Sequence, residues 1–190
     1  KELDLPCEVV TGIVKESGGE VPELGHAWVA AQADGSWRLF DPTWGVPAPG
    51  MSAYVVNEKY FDTPPDRFIL NHLPDDPVWQ LLEKPVEERL FRTAGNAEMT
   101  AYLADAPDAI FVYQDTLREW LAMDSAQRML HMENRVLQFN GSNERAIFSL
   151  GQNYWGLFYD QHRLIDSLAD DAIFQDTVVL VTTWFLEHNA

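Results

Sequence analysis

The sequence predicts an α+β chain, an antiparallel sheet followed by an α-helical bundle. Three observations carry this. Asp34-Gly35 is a strong two-residue hairpin-turn signal between two short β-prone runs. Ten of the eleven prolines lie at or before Pro85, in a part that reads as short strands and proline-rich loops. Beyond it, apolar residues recur at helical spacing in three successive stretches. The change places a division near residues 85–96, with regions 1–92 and 96–190. Lysine also ends at Lys84, and every later basic residue is arginine.

Residues 28–31 and 37–40 read as the strands of the hairpin. With a two-residue turn Ala33 faces Ser36, so Asp41 faces Trp28 and lies diagonally from His26. Side chains alternate with period two, which sends His26, Trp28 and Asp41 to one face. Diagonal neighbours are roughly 7–8 Å apart at the backbone, within reach of an imidazole and a carboxylate. A loop one residue longer would separate them onto opposite faces. Pro42 cannot donate to a ladder and ends the second strand after Asp41, beside a loop that starts with Thr43-Trp44-Gly45. Further proline-rich loops are expected at 46–50 and 62–66.

The later elements read as helices. Ile110, Tyr113, Leu117, Trp120 and Leu121 form one stripe, and Met129, Met132, Val136 and Phe139 a second. Ile147, Leu150, Tyr154, Leu157, Phe158, Leu164 and Leu168 form a third. Asn140-Gly141-Ser142-Asn143 reads as a helix stop followed by an N-cap. Residues 170–188 are apolar over a broad arc, either packed centrally in the bundle or covering a neighbouring surface. Their β-branched core at 178–183 also suits a strand. No internal repeat or low-complexity segment is present.

Composition narrows the function classes. A chain of 190 residues, 46% hydrophobic and with seven tryptophans, is globular and large enough for one or two domains. A net charge of −17 argues against nucleic acid and against anionic membrane surfaces, which call for a positive footprint. It permits a basic protein partner and equally serves solubility alone. No apolar run approaches the roughly 20 residues that span a bilayer. The single cysteine excludes an intrachain disulfide and leaves the compartment unread.

An aspartate beside a histidine suits chemistry in which the carboxylate orients an imidazole that serves a nucleophile. On spacing alone the pair is equally an ordinary hairpin with an incidental His and Asp. Weaker groupings are His131 with Glu133, His162 with Asp160 and Asp166, and Asp75-Asp76. The first two form no convincing metal motif, and Asp75-Asp76, flanked by Pro74 and Pro77, reads as a structural loop. No phosphate loop, nucleophile elbow or zinc-protease motif appears.

His26-Ala27-Trp28, the hairpin, and Asp41-Pro42-Thr43-Trp44 resemble the transglutaminase-like family of papain-type folds. Leu5-Pro6-Cys7-Glu8-Val9-Val10-Thr11-Gly12 is similar to the strand that precedes the family's histidine strand. Tyr60-Phe61, Pro64-Pro65, His72-Leu73-Pro74-Asp75-Asp76-Pro77 and Trp79-Gln80-Leu81-Leu82 resemble its closing segment. The likeness covers about residues 1–82. It implies a truncated papain-type domain in which His26 is the base, Asp41 its orienter, and Trp28 or Trp44 walls a substrate site. It implies no metal or organic cofactor.

In the family the nucleophilic cysteine opens a helix upstream of the strand matched here. Cys7 aligns with a structural position and is expected to be a small buried hydrophobe, with Glu8 beside it supplying the wrong charge for a thiolate. The start at Lys1 suggests a processed or truncated piece. Two functions follow: a portion of a cysteine enzyme acting on protein glutamine or amide bonds, or a non-catalytic protein-binding module with acidic helices. Expected partners are a protein substrate or a binding protein, and a separate N-terminal segment that completes the domain.

Overall fold

The computed structural model describes residues 5–46, 57–105 and 110–167. Four strands form one antiparallel sheet: β1 (Cys7–Val14), β2 (His26–Ala33), β3 (Ser36–Phe40) and β4 (His72–Pro74), in the order β3-β2-β1-β4. Asp34 and Gly35 both take positive φ, 52° and 77°, as a two-residue turn of the twist-matching kind requires. The register follows, with Ala33 opposite Ser36 and Val29 opposite Phe40.

After β3 the chain does not enter a loop. Asp41 caps a helical turn, α1 (Pro42–Gly45), because an aspartate followed by proline supplies both an N-cap acceptor and a first helical residue with no N–H to satisfy. Pro64-Pro65 likewise starts the short α2 (Pro65–Phe68), ahead of β4. The remaining helices are α3 (Glu88–Thr93), α4 (Asn96–Ala104), α5 (Tyr113–Ala122), α6 (Ser125–Phe139) and α7 (Glu144–Ser167).

Two buried clusters sit on the sheet. Val10, Val14, Trp28, Ala30 and Leu39 join Phe68, Val78, Trp79 and Leu81, and α5 adds Leu117 and Trp120 to the same core. Ile13 and Leu73 join Ile69, Val86, Phe91 and Ala94, with Met99 of α4. Gln80 and Val86 bond each other twice in the interior and fix the connection between the two stretches. Asp76 receives a two-armed ion pair from Arg135 of α6 at 2.7 and 2.6 Å and also caps Val78.

The chain divides into compact units Lys1–Ala146 and Ile147–Ala190, not near residues 85–96. The shift in composition there marks a change of element type, but helices from beyond it complete the sheet's own core. The second unit holds most of α7, on which Phe148, Trp155, Phe158 and Tyr159 are exposed, as is Ile147 of the expected stripe. Asn143 accepts from Ala146 N–H at the start of α7, as a cap should. Most of the loop at 46–50, Leu168 and the apolar segment 170–188 lie outside the described residues.

Cys7 is exposed, which corrects the buried role expected for it. Val10, Gly12 and Val14 face the first core, so by period two Cys7, Val9 and Thr11 face the other way. The second cluster covers that side only near Ile13.

Candidate active site around His26 and Asp41

The site begins with a missing side chain. Gly12 on β1 pairs with His26 on β2, while Val14, two residues on, pairs with His72 on β4. Paired residues project to the same face, so both imidazoles stand on the core side of β1 with only Gly12 between them. A Cβ at Gly12 would collide with Leu73 O, lie 2.7 Å from the Trp28 ring and 2.8 Å from Pro74 Cα. Glycine therefore lets β4 and Trp28 close in, and the His26 and His72 ring centroids come to 5.7 Å.

Asp41 joins them. Its Oδ2 lies 2.8 Å from His26 Nε2 and 3.0 Å from His72 Nε2. Its Oδ1 accepts from the Thr43 and Trp44 N–H groups at 2.8 and 3.1 Å. The helical turn thus fixes the carboxylate's rotation and directs one oxygen to the two rings. Both Asp41 and His72 are inaccessible, whereas 16% of the His26 side chain is exposed. Of the three, His26 is the one that solvent reaches.

The charges follow from these contacts. Burial pushes the Asp41 carboxyl up, but hydrogen bonds from His72, His26 and the Trp44 N–H outweigh it and hold the group at about 2. Burial pushes His72 below the usual imidazole range, and its bond to Asp41 opposes this only in part. A neutral His72 and an ionised Asp41 result. An aromatic box encloses His72: Phe68 stacks on it with centroids 4.1 Å apart, and Trp28, Trp44 and Tyr60 meet it edge-on.

His26 and Asp41 meet as the hairpin register requires. Trp28 is fully buried beneath them. Trp44 lies beside His26, centroids 5.5 Å apart, and also lines an open groove of about 870 Å³ with Tyr60, Asn71, Lys59 and Arg67. Cys7 pairs with Ala31, five residues along β1 from the Gly12–His26 pair. That separation is about 17 Å at strand rise, on the opposite sheet face. Cys7 does not reach His26.

Of the weaker groupings, the two within the described residues do not assemble. His131 is exposed and Glu133 buried on the same helix, so they do not share a face. Asp76 faces Arg135, while Asp75 accepts from Thr11. The side chains of Asp160, His162 and Asp166 lie outside the described residues.

His26, Asp41 and His72 have potential metal-ligating atoms within 4.8 Å of one another. Zinc with bonds of about 2.0–2.1 Å would set its ligand atoms roughly 3.3 Å apart and take both Nε2 protons. The observed 2.8 and 3.0 Å are hydrogen-bond lengths, and the set reads as a proton-bearing network.

His72 is the residue that sequence reasoning missed. Its register depends on the β4–β1 pairing, which no local pattern encodes. The one available signal was a histidine beside the apolar run Phe68-Ile69-Leu70, since a buried imidazole calls for a partner.

Comparison with known proteins finds distant relatives. Kyphoscoliosis peptidase of Mus musculus is 29% identical over 160 residues, 77% of this chain and 24% of that protein. The Homo sapiens protein of the same name gives the same figures. The LIM and transglutaminase domain protein ltd-1 of Caenorhabditis elegans is 29% identical over 101 residues, 43% of this chain and 14% of that protein. The chain resembles transglutaminase-like proteins. It spans about a quarter of the length of the kyphoscoliosis peptidases it matches. No family model matches the chain, and no solved structure matches it.

Proposed function

We infer that this chain supplies the histidine and aspartate half of a transglutaminase-like cysteine site acting on protein glutamine or amide bonds. The observation that supports it most is the 2.8 Å bond between His26 Nε2 and a carboxylate already fixed by two backbone N–H groups. With Nε2–H committed to Asp41, the lone pair of a neutral His26 is on Nδ1, which among the described residues meets no hydrogen-bond donor. That nitrogen is the base a thiol would use.

The thiol must come from outside this sequence, because Cys7 is its only cysteine and faces away. A segment carrying a helix-borne cysteine would complete the papain-type domain. The thiolate would then attack a carboxamide carbon, and His26 would return the proton to the departing amine or ammonia. Water as acceptor gives hydrolysis or deamidation, and an amine gives cross-linking. Trp44 and its groove offer the approach for a protein substrate. The acidic helices, with the exposed aromatic side chains of α7, would contact partners.

The test is turnover by the polypeptide as its source makes it, read as amine incorporation into a glutamine-bearing protein and as ammonia release. His26→Gln should abolish it, Asp41→Asn should reduce it by about 10⁴-fold as mispairing of a triad imidazole does, and Cys7→Ser should leave it unchanged. Activity that survives His26→Gln would overturn the reading. The orientation of Cys7 also favours a second reading, a non-catalytic module that keeps the His–Asp pair for stability. Absence of turnover with an intact fold would support that one.

A further inference from the structure

His72 carries more than packing. Its Nε2 shares Asp41 Oδ2 with His26, and its Nδ1 lies 2.8 Å from the Asn71 carboxamide oxygen. The Asn71 amide nitrogen in turn lies 3.3 Å from the Tyr60 hydroxyl. A line of polar groups therefore runs from Tyr60 through Asn71, His72 and Asp41 to His26, with His72 at its centre enclosed by aromatic rings. We propose that His72 is a positioning residue, an imidazole that donates Nε2–H to Asp41 and thereby holds the carboxylate and His26 in register. Its catalytic meaning rests on the half-site function already proposed.

Electrostatics favours a neutral ring. During acyl transfer His26 becomes an imidazolium, and a second cation 5.7 Å away in a dry aromatic box would compete for the same carboxylate. Besides Asp41 and His26, the charged group that acts on His72 is Lys59, and it too disfavours a cation. A neutral ring that donates from Nε2 has a lone pair on Nδ1. Half a turn of the Asn71 carboxamide brings its N–H to that lone pair and leaves the oxygen to accept from the Tyr60 hydroxyl. His72 cannot touch a substrate, since it is fully buried. What it does is set the donor count at Asp41.

The decisive experiment is ring-nitrogen NMR on this chain, which requires no turnover. His72 should carry its proton on Nε2 and none on Nδ1 at pH 7. A ring protonated at both nitrogens at pH 7, or at Nδ1 alone, overturns the proposal without any variant. His72→Phe keeps a flat ring against Phe68 and removes the donor, whereas His72→Gln keeps an N–H. In folded protein the Asp41 carboxyl titration should rise from about 2 by roughly one unit in His72→Phe and stay near its original value in His72→Gln. A merely space-filling residue would leave that titration in place, and an unshifted Asp41 in folded His72→Phe would refute the role. The half-site function fails separately, by finding no thiol that depends on His26.

Discussion

Asp41→Asn is the sharpest single perturbation of this site. The ordinary aspartate value is near 3.8, and Asp41 is held at about 2. A gap of just under two units at 1.36 kcal/mol each corresponds to about 2–3 kcal/mol of stability, and no solvent discount applies because the side chain is inaccessible. The folded value is the depressed one, so this stability is present above pH 4 and is lost as pH falls from about 4 toward 2. Asparagine preserves an oxygen for the Thr43 and Trp44 N–H groups. Its amide, however, presents N–H where two imidazole N–H groups already point. The variant should therefore lose about 2–3 kcal/mol at pH 7 and lack this component of the acid loss. Urea unfolding of both proteins at intervals between pH 7 and 2 measures it. Parallel stability curves for the two proteins would show that the carboxylate is not held by these donors.

Three other outcomes are expected. Arg135→Met leaves Asp76 buried without its cation, at a cost of about 3–5 kcal/mol at pH 7. Burial already raises the Asp76 value, so the cost should shrink at pH 4 as the acid takes up a proton, and thermal melts at the two pH values would show the difference. Gly12→Ala drives a methyl into Leu73 O, Trp28 and Pro74, and should cost about 3 kcal/mol or more while displacing β4, as seen by loss of the His72–Asp41 coupling in NMR. Cys7→Ser should change stability by less than about 0.5 kcal/mol, and Cys7 in the folded chain should react with a thiol reagent at the rate of an exposed cysteine.

The legible parts of this fold were the local ones. Asp34-Gly35 permits one register, and period two then carries Asp41 to the face of His26. The cap at Asp41 was also written locally, since Asp-Pro is a helix-start signal, although the helical turn itself reads as a loop from composition. Helix α4 was not anticipated, because Met99 is its one buried residue and no stripe exists to be found. Non-local pairing was beyond reach. His72 enters the site through β4, three residues long, whose partner lies some sixty residues earlier on β1. The division near 85–96 misled for a related reason: prolines and lysines stop there, yet Leu117 and Trp120 return to the sheet's core. The facing of Cys7 was available from parity with Val10, had the inward face been assigned first.

The central proposal, that His26 serves a thiol brought from outside this sequence, is tested most directly by alkylation of the source-made polypeptide with iodoacetamide at pH 6. A single cysteine other than Cys7 should label fast, and that fast phase should vanish in His26→Gln while Cys7 continues to react slowly. Labelling of Cys7 alone, or a fast thiol indifferent to His26→Gln, would contradict the account.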